Sequence, residues 1–192
     1  MRPPPLSLLL VCRQLSIEAL SHYYPLAVWK FSLSPSFNYF RLDASLDGLR
    51  ACAQLRRICR VEVVFVWDAV LAASYPSLGV EKMAAAMRER CERLVGVLVE
   101  GASELRTVVV SWVDTVACRG EWEGRGWEGK RGVLEPLRGL VRRRGVRFEV
   151  GEVLVVEEGV GEGFRGAMGE LDGRAVEWQC RGEEGVTEGK RG

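Results

Sequence analysis

Val61-Glu62-Val63-Val64-Phe65-Val66-Trp67 and Thr107-Val108-Val109-Val110-Ser111-Trp112-Val113 are the stretches that decide the fold. Both are dense in β-branched and aromatic residues, which suit a pleated, packed backbone, and both read as strands. Between them, Val80, Met83, Met87, Cys91, Leu94 and Leu98 recur every three or four positions, with Arg88, Glu89, Arg93 and Glu100 interleaved. That spacing predicts a long amphipathic helix from about Val80 to Ala102. A strand, a helical crossover and a second strand return the chain in the same direction, so the two strands are expected to be parallel.

The same alternation extends outward. Upstream, Leu6, Leu9, Leu10, Arg13, Ile17 and Leu20 predict a first helix that starts after Pro3-Pro4-Pro5 and ends before Pro25. Leu26 to Leu33 reads as a strand, Ser34 to Asn38 as a turn, and Ser45 to Arg57 as a second helix with Ser45 as N-cap. Ala69 to Leu78 reads as a loop with a short turn of helix. Downstream, Arg119 to Gly132 reads as a flexible, solvated loop. Leu134, Leu137, Leu140 and Val141 mark an amphipathic helix from Val133 to Arg144, stopped at Gly145. Val146 to Val156 is a last strand, with Gly151 placed for a bulge. The expected fold is α/β, a mostly parallel sheet of four to five strands flanked by helices, with an irregular leucine-rich-repeat-like arc as its variant. Residues 1–158 form one domain in this reading, and 159–192 a glycine- and charge-rich, partly disordered segment.

The totals fit a globular chain. Of 192 residues, 47% are hydrophobic and 28% charged, and the net charge of +1 gives no overall field that would draw nucleic acid or an anionic membrane. No stretch approaches the roughly 18–20 apolar residues of a membrane-spanning helix. The apolar run Leu6 to Cys12 behind Arg2 is too short for a secretory signal and is cut by Arg13 and Gln14. The six cysteines contain no CxxC pair and His22 is the only histidine, which disfavours zinc and suits a reducing, intracellular compartment.

Several motifs invite a chemical reading. Gly124-Arg125-Gly126-Trp127-Glu128-Gly129-Lys130 satisfies the GxxxxGK part of a phosphate-binding loop and lies between a strand and a helix. The residue after the lysine is Arg131, where a Ser or Thr hydroxyl should hold Mg²⁺, and Glu121, Glu123 and Glu128 oppose a triphosphate. A nucleotide-binding enzyme using Gly124 to Lys130 is therefore the alternative reading. Gly161-Glu162-Gly163-Phe164-Arg165-Gly166 matches GxGxxG after a strand, yet no long helix and further strand are expected to follow. Asp68 and Asp114 sit at the C-terminal ends of the two central strands, where open parallel sheets bind ligands. An acid there more often caps the next turn. Arg142-Arg143-Arg144 closes a helix, where cations complement the dipole. No Ser-His-Asp set with a GxSxG elbow is present. The reading assigns no catalytic, cofactor-binding or metal-ligating residue.

Leu8-Leu9-Leu10-Val11-Cys12-Arg13-Gln14-Leu15, followed by Glu18-Ala19-Leu20, resembles a recurrent motif of a fungal family of uncharacterised proteins with an F-box-like segment. Tyr23 or Tyr24 takes the family's tyrosine place, Trp29 to Leu33 its aromatic strand, and Leu55 to Ile58 with Val61 to Val66 its next helix end and strand. The resemblance covers Leu8 to Asp68. Family members carry an F-box-like helical segment upstream. This sequence starts at Met1-Arg2-Pro3, almost directly before the motif, so a shortened product without that recruitment segment is expected. The resemblance implies a noncatalytic protein-interaction domain of the substrate-recognition kind with a protein partner, and the near-zero net charge leaves nucleic acid and membrane out as expected targets.

Overall fold

The computed structural model describes residues 12–35, 46–68, 79–116, 126–141 and 146–172. Helix α1 (Arg13–Tyr23) leads into strand β1 (Val28–Leu33). Residues 46–50 are helical, a 3-10 turn follows at Leu55–Arg57, and strand β2 spans Arg60–Trp67. Helix α2 (Gly79–Gly101) crosses to strand β3 (Thr107–Asp114). Short helix α3 (Gly126–Lys130), a 3-10 segment (Arg131–Leu137) and helix α4 (Arg138–Val141) lead to strand β4 (Arg147–Val155), and helix α5 (Glu158–Asp172) follows.

The four strands are all parallel and lie in chain order, β1-β2-β3-β4. The α/β fold expected from the sequence is the observed one. In register, Trp29, Val61, Val108 and Phe148 form one row across the sheet, and Leu33, Phe65, Trp112 and Val153 another. These side chains belong to the single hydrophobic core or pack against it. Helix α2 supplies Met83, Met87, Cys91, Leu94, Val95, Val97 and Leu98 to that core. Each such side chain stabilises the fold by roughly 1.5–3 kcal/mol when fully buried. Helices α2, α3, α4 and α5 and the 3-10 segment touch one another as well as the core, so they share one face of the sheet.

Several expected elements take another form. The helix expected over Ser45 to Arg57 is interrupted, because Leu55 turns inward against Gly101, where an added Cβ would overlap the Leu55 side chain. The helix expected from Val133 begins instead as a 3-10 segment containing Pro136, and its former end, residues 142–145, lies outside the described residues. The expected bulge is present: the register shifts between Val110 and Trp112, so that Gly151 and Glu152 stand opposite Ser111. Gly151 is required there, since a Cβ would run into Ser111 Oγ and Val109. The GxGxxG segment lies within the 15-residue α5, where the sequence predicts a glycine-rich, partly disordered segment, and α5 places Val160, Phe164, Met168 and Leu171 in the core.

Candidate functional site

The C-terminal edge of the sheet is the first place to look for chemistry. There Lys130 Nζ donates to Asp114 Oδ2 at 2.6 Å, with the two side chains 0% and 2% exposed. Asp114 Oδ1 accepts the Val116 N–H at 3.0 Å, and the Lys130 ammonium lies 5.2 Å from the centre of the Trp67 ring. Trp112 packs against Phe65, Trp67, Trp127 and Phe164, enclosing the pair in aromatic rings. Lys130 is therefore not the tip of a solvated phosphate-binding loop. The chain is helical from Gly126, and its ammonium is spent on a buried carboxylate, so it has no free donor aimed at solvent for a phosphate. Gly124 and Arg125 lie outside the described residues.

The other candidate residues do not converge. Asp114 is buried, whereas Asp68 is exposed at the end of β2. His22 is exposed in the last turn of α1. Cys91 is enclosed by the core, and burial, with Glu92 as the lesser cause, pushes its thiol up to about 12, so it is no nucleophile at neutral pH. Arg142 to Arg144 lie outside the described residues. Among the described residues no three His, Cys, Asp or Glu side chains are grouped to hold a metal ion, and no helix is long and apolar enough to cross a membrane.

A second surface is the sheet face opposite helices α2, α3, α4 and α5. It carries Lys30 and Ser32 of β1, Arg60, Glu62, Val64 and Val66 of β2, Val109, Ser111 and Val113 of β3, and Glu149 and Leu154 of β4, by strand alternation and register. Its N-terminal half is polar. Lys30 pairs with Glu62 at 3.2 Å, and Arg60 reaches across β3 to Glu149 at 2.8 Å. Ser111 Oγ donates to Glu62 Oε1 at 2.9 Å and accepts the Glu152 N–H at 3.1 Å, tying the bulge into the network. The C-terminal half is apolar: Val66 and Val113 are half-buried in a row with Leu154, which is 53% exposed, and Val156, just beyond β4, is 61% exposed, whereas Val64, Thr107 and Ser111 at the centre of the face are buried. The signal in the sequence was present in the alternation Glu62, Val64, Val66 and Val109, Ser111, Val113. A run this apolar nevertheless suggests a strand buried on both faces, which masks the alternation.

No family model, no curated protein and no solved structure matches the chain.

Proposed function

We propose that the chain is a noncatalytic protein-interaction domain and that the β4 side of this sheet face is its contact surface. The observation that carries this reading is the exposure of Leu154, and of Val156 just beyond it, beside the half-buried Val66 and Val113 on a parallel sheet. Parallel sheets are ordinarily covered on both faces, so a face that keeps large apolar side chains in water has reason to bind another surface. A half-polar, half-apolar patch with preset ion pairs suits a protein surface, with the apolar row excluding water and the charged rows fixing register. The resemblance of Leu8 to Asp68 to the fungal family supports the same class of function, and the free cysteines Cys12, Cys52, Cys59 and Cys91 suit an intracellular setting.

Affinity capture from a fungal extract with the tagged chain and with its Leu154→Asp variant tests the reading. The expected result is a reproducibly retained protein that the variant fails to hold, with unchanged far-ultraviolet circular dichroism. A partner retained equally by both chains removes this face from the account. Absence of any partner removes the interaction reading itself.

A further inference from the structure

We infer that the groove between the 3-10 segment and α5, on the helical side of the sheet, is a binding site for a small planar anion of the aromatic carboxylate class. The groove has a volume of about 460 Å³, within the range of sites that hold small molecules. Its shape follows from the sequence. Gly163, Gly166 and Ala167 recur at helical spacing along one side of α5, so that wall is nearly bare backbone. A Cβ at Gly163 would overlap the indole of Trp127, whereas a Cβ at Gly166 would meet nothing within 4 Å. The first glycine therefore seats the indole at one end of the groove, and the second leaves the space beside it open. A flat ring can lie against such a wall, with the half-buried Trp127 as its aromatic neighbour.

Charge selects the class of ligand. Arg131, Glu135, Arg138 and Glu170 line the groove. Glu135 is held by Arg88 of α2 at 3.0 Å. The 3-10 segment with α4, and α5 after it, both return from the C-terminal edge of parallel strands, so they run side by side in one direction. Trp127 and Gly163 thus mark one end of the groove, while Arg138 and Glu170, of opposite sign, lie toward the other. Arg131 is left as the uncompensated charge near the indole, and among the described residues no carboxylate pairs with it. Lys130, its neighbour in sequence, is turned inward to Asp114 and takes no part. A guanidinium presents a planar fork of donors that matches a carboxylate, so an aromatic acid satisfies both the charge and the flat wall. A neutral ring would fill the same space and leave Arg131 without a partner.

Saturation-transfer NMR of the full chain with benzoate, 2-naphthoate and indole-3-carboxylate, each beside its neutral amide, reads the binding, and calorimetry of the strongest gives its Kd. At least one carboxylate is expected to bind one-to-one, and its amide about tenfold more weakly. Arg131→Gln should weaken the carboxylate by a similar factor and leave the amide unchanged. Gly166→Leu, whose side chain fills the open space, should abolish binding of both. Arg165→Gln, exposed on α5 and outside the groove, should change neither. Far-ultraviolet circular dichroism checks that each variant is folded. Where Gly166→Leu is not, Arg131→Gln at its exposed position and the comparison with the amides still decide. Failure of every carboxylate to bind at millimolar concentration overturns the proposal. So does a carboxylate that its amide matches, or one that Arg131→Gln binds as well as the parent chain does.

Discussion

Lys130 and Asp114 carry two opposite charges into a setting of tryptophan and phenylalanine rings. Moving either ion alone out of water costs several kcal/mol, and the 2.6 Å contact offsets this only while both partners are in place. Asp114→Leu and Lys130→Met are each expected to lower the unfolding free energy by about 3–5 kcal/mol, since each strands one buried charge. The double variant should recover most of that loss, because two apolar side chains suit the aromatic surroundings. Urea denaturation of the four proteins checks the cycle, and single variants within 1 kcal/mol of the parent (a limit of about the worth of an exposed pair) would show that the pair is solvated. The same geometry predicts that Mg·ATP leaves the melting temperature of the parent chain unchanged. Read locally, Asp114 is a strand-end acid and Lys130 a loop lysine. Their meeting across a separation of 16 residues depends on how the chain returns after β3, and no local pattern encodes that return.

Helix α5 shows how tertiary packing outweighs local propensity. Gly161, Gly163, Gly166 and Gly169 each cost about 1 kcal/mol relative to alanine in a helix interior, which is why the segment reads as broken from sequence alone. Burial of Val160, Phe164, Met168 and Leu171 offsets that cost. Gly163 has a further role, because a Cβ there would overlap the indole of Trp127, which the absence of a side chain lets approach. Gly163→Ala should therefore destabilise the protein by about 1–3 kcal/mol despite alanine's better helix propensity, as overpacking does. Gly166→Ala, which meets open space, should stabilise it by up to about 1 kcal/mol. Thermal melts of the two variants moving in opposite directions check this, and parallel shifts would refute it. Strands β2, β3 and β4 were legible because β-branched alternation is a local signal. The segment after Lys130 was not. Leu134, Leu137 and Leu140 recur every three residues, a spacing shared by one α-helical face and by the 3.0-residue turn of a 3-10 helix, and Pro136 tips the choice by removing an amide donor.

At the scale of the whole molecule, the described helices that pack on the core gather on one face of a sheet whose strands follow in chain order, which leaves two different ends. Strands β1 and β4 are both edges, and each carries charge or a bulge that discourages further strand pairing: Lys30 on β1, and Arg147, Glu149 and the Gly151-Glu152 bulge on β4. On the helical face, α5 covers β4, and its Phe164 packs on Trp112 and Trp127, beside the Lys130–Asp114 pair. A domain boundary at residue 158, where the glycine content rises, would cut through this core. A chain ending at Glu157 should lose cooperative unfolding, because Trp112 and Trp127 would lose their cover and the buried ion pair would open to water. In the full-length chain, Phe164→Ala should cost about 3–5 kcal/mol, the range for deleting a fully enclosed aromatic ring. Far-ultraviolet circular dichroism and denaturant titration of both proteins decide the matter. If the shortened chain unfolds as cooperatively as the parent, α5 is an appendage and the core closes without it. If it does not, while Phe164→Ala stays folded but weakened, the glycine-rich helix is part of what makes this sheet a stable unit.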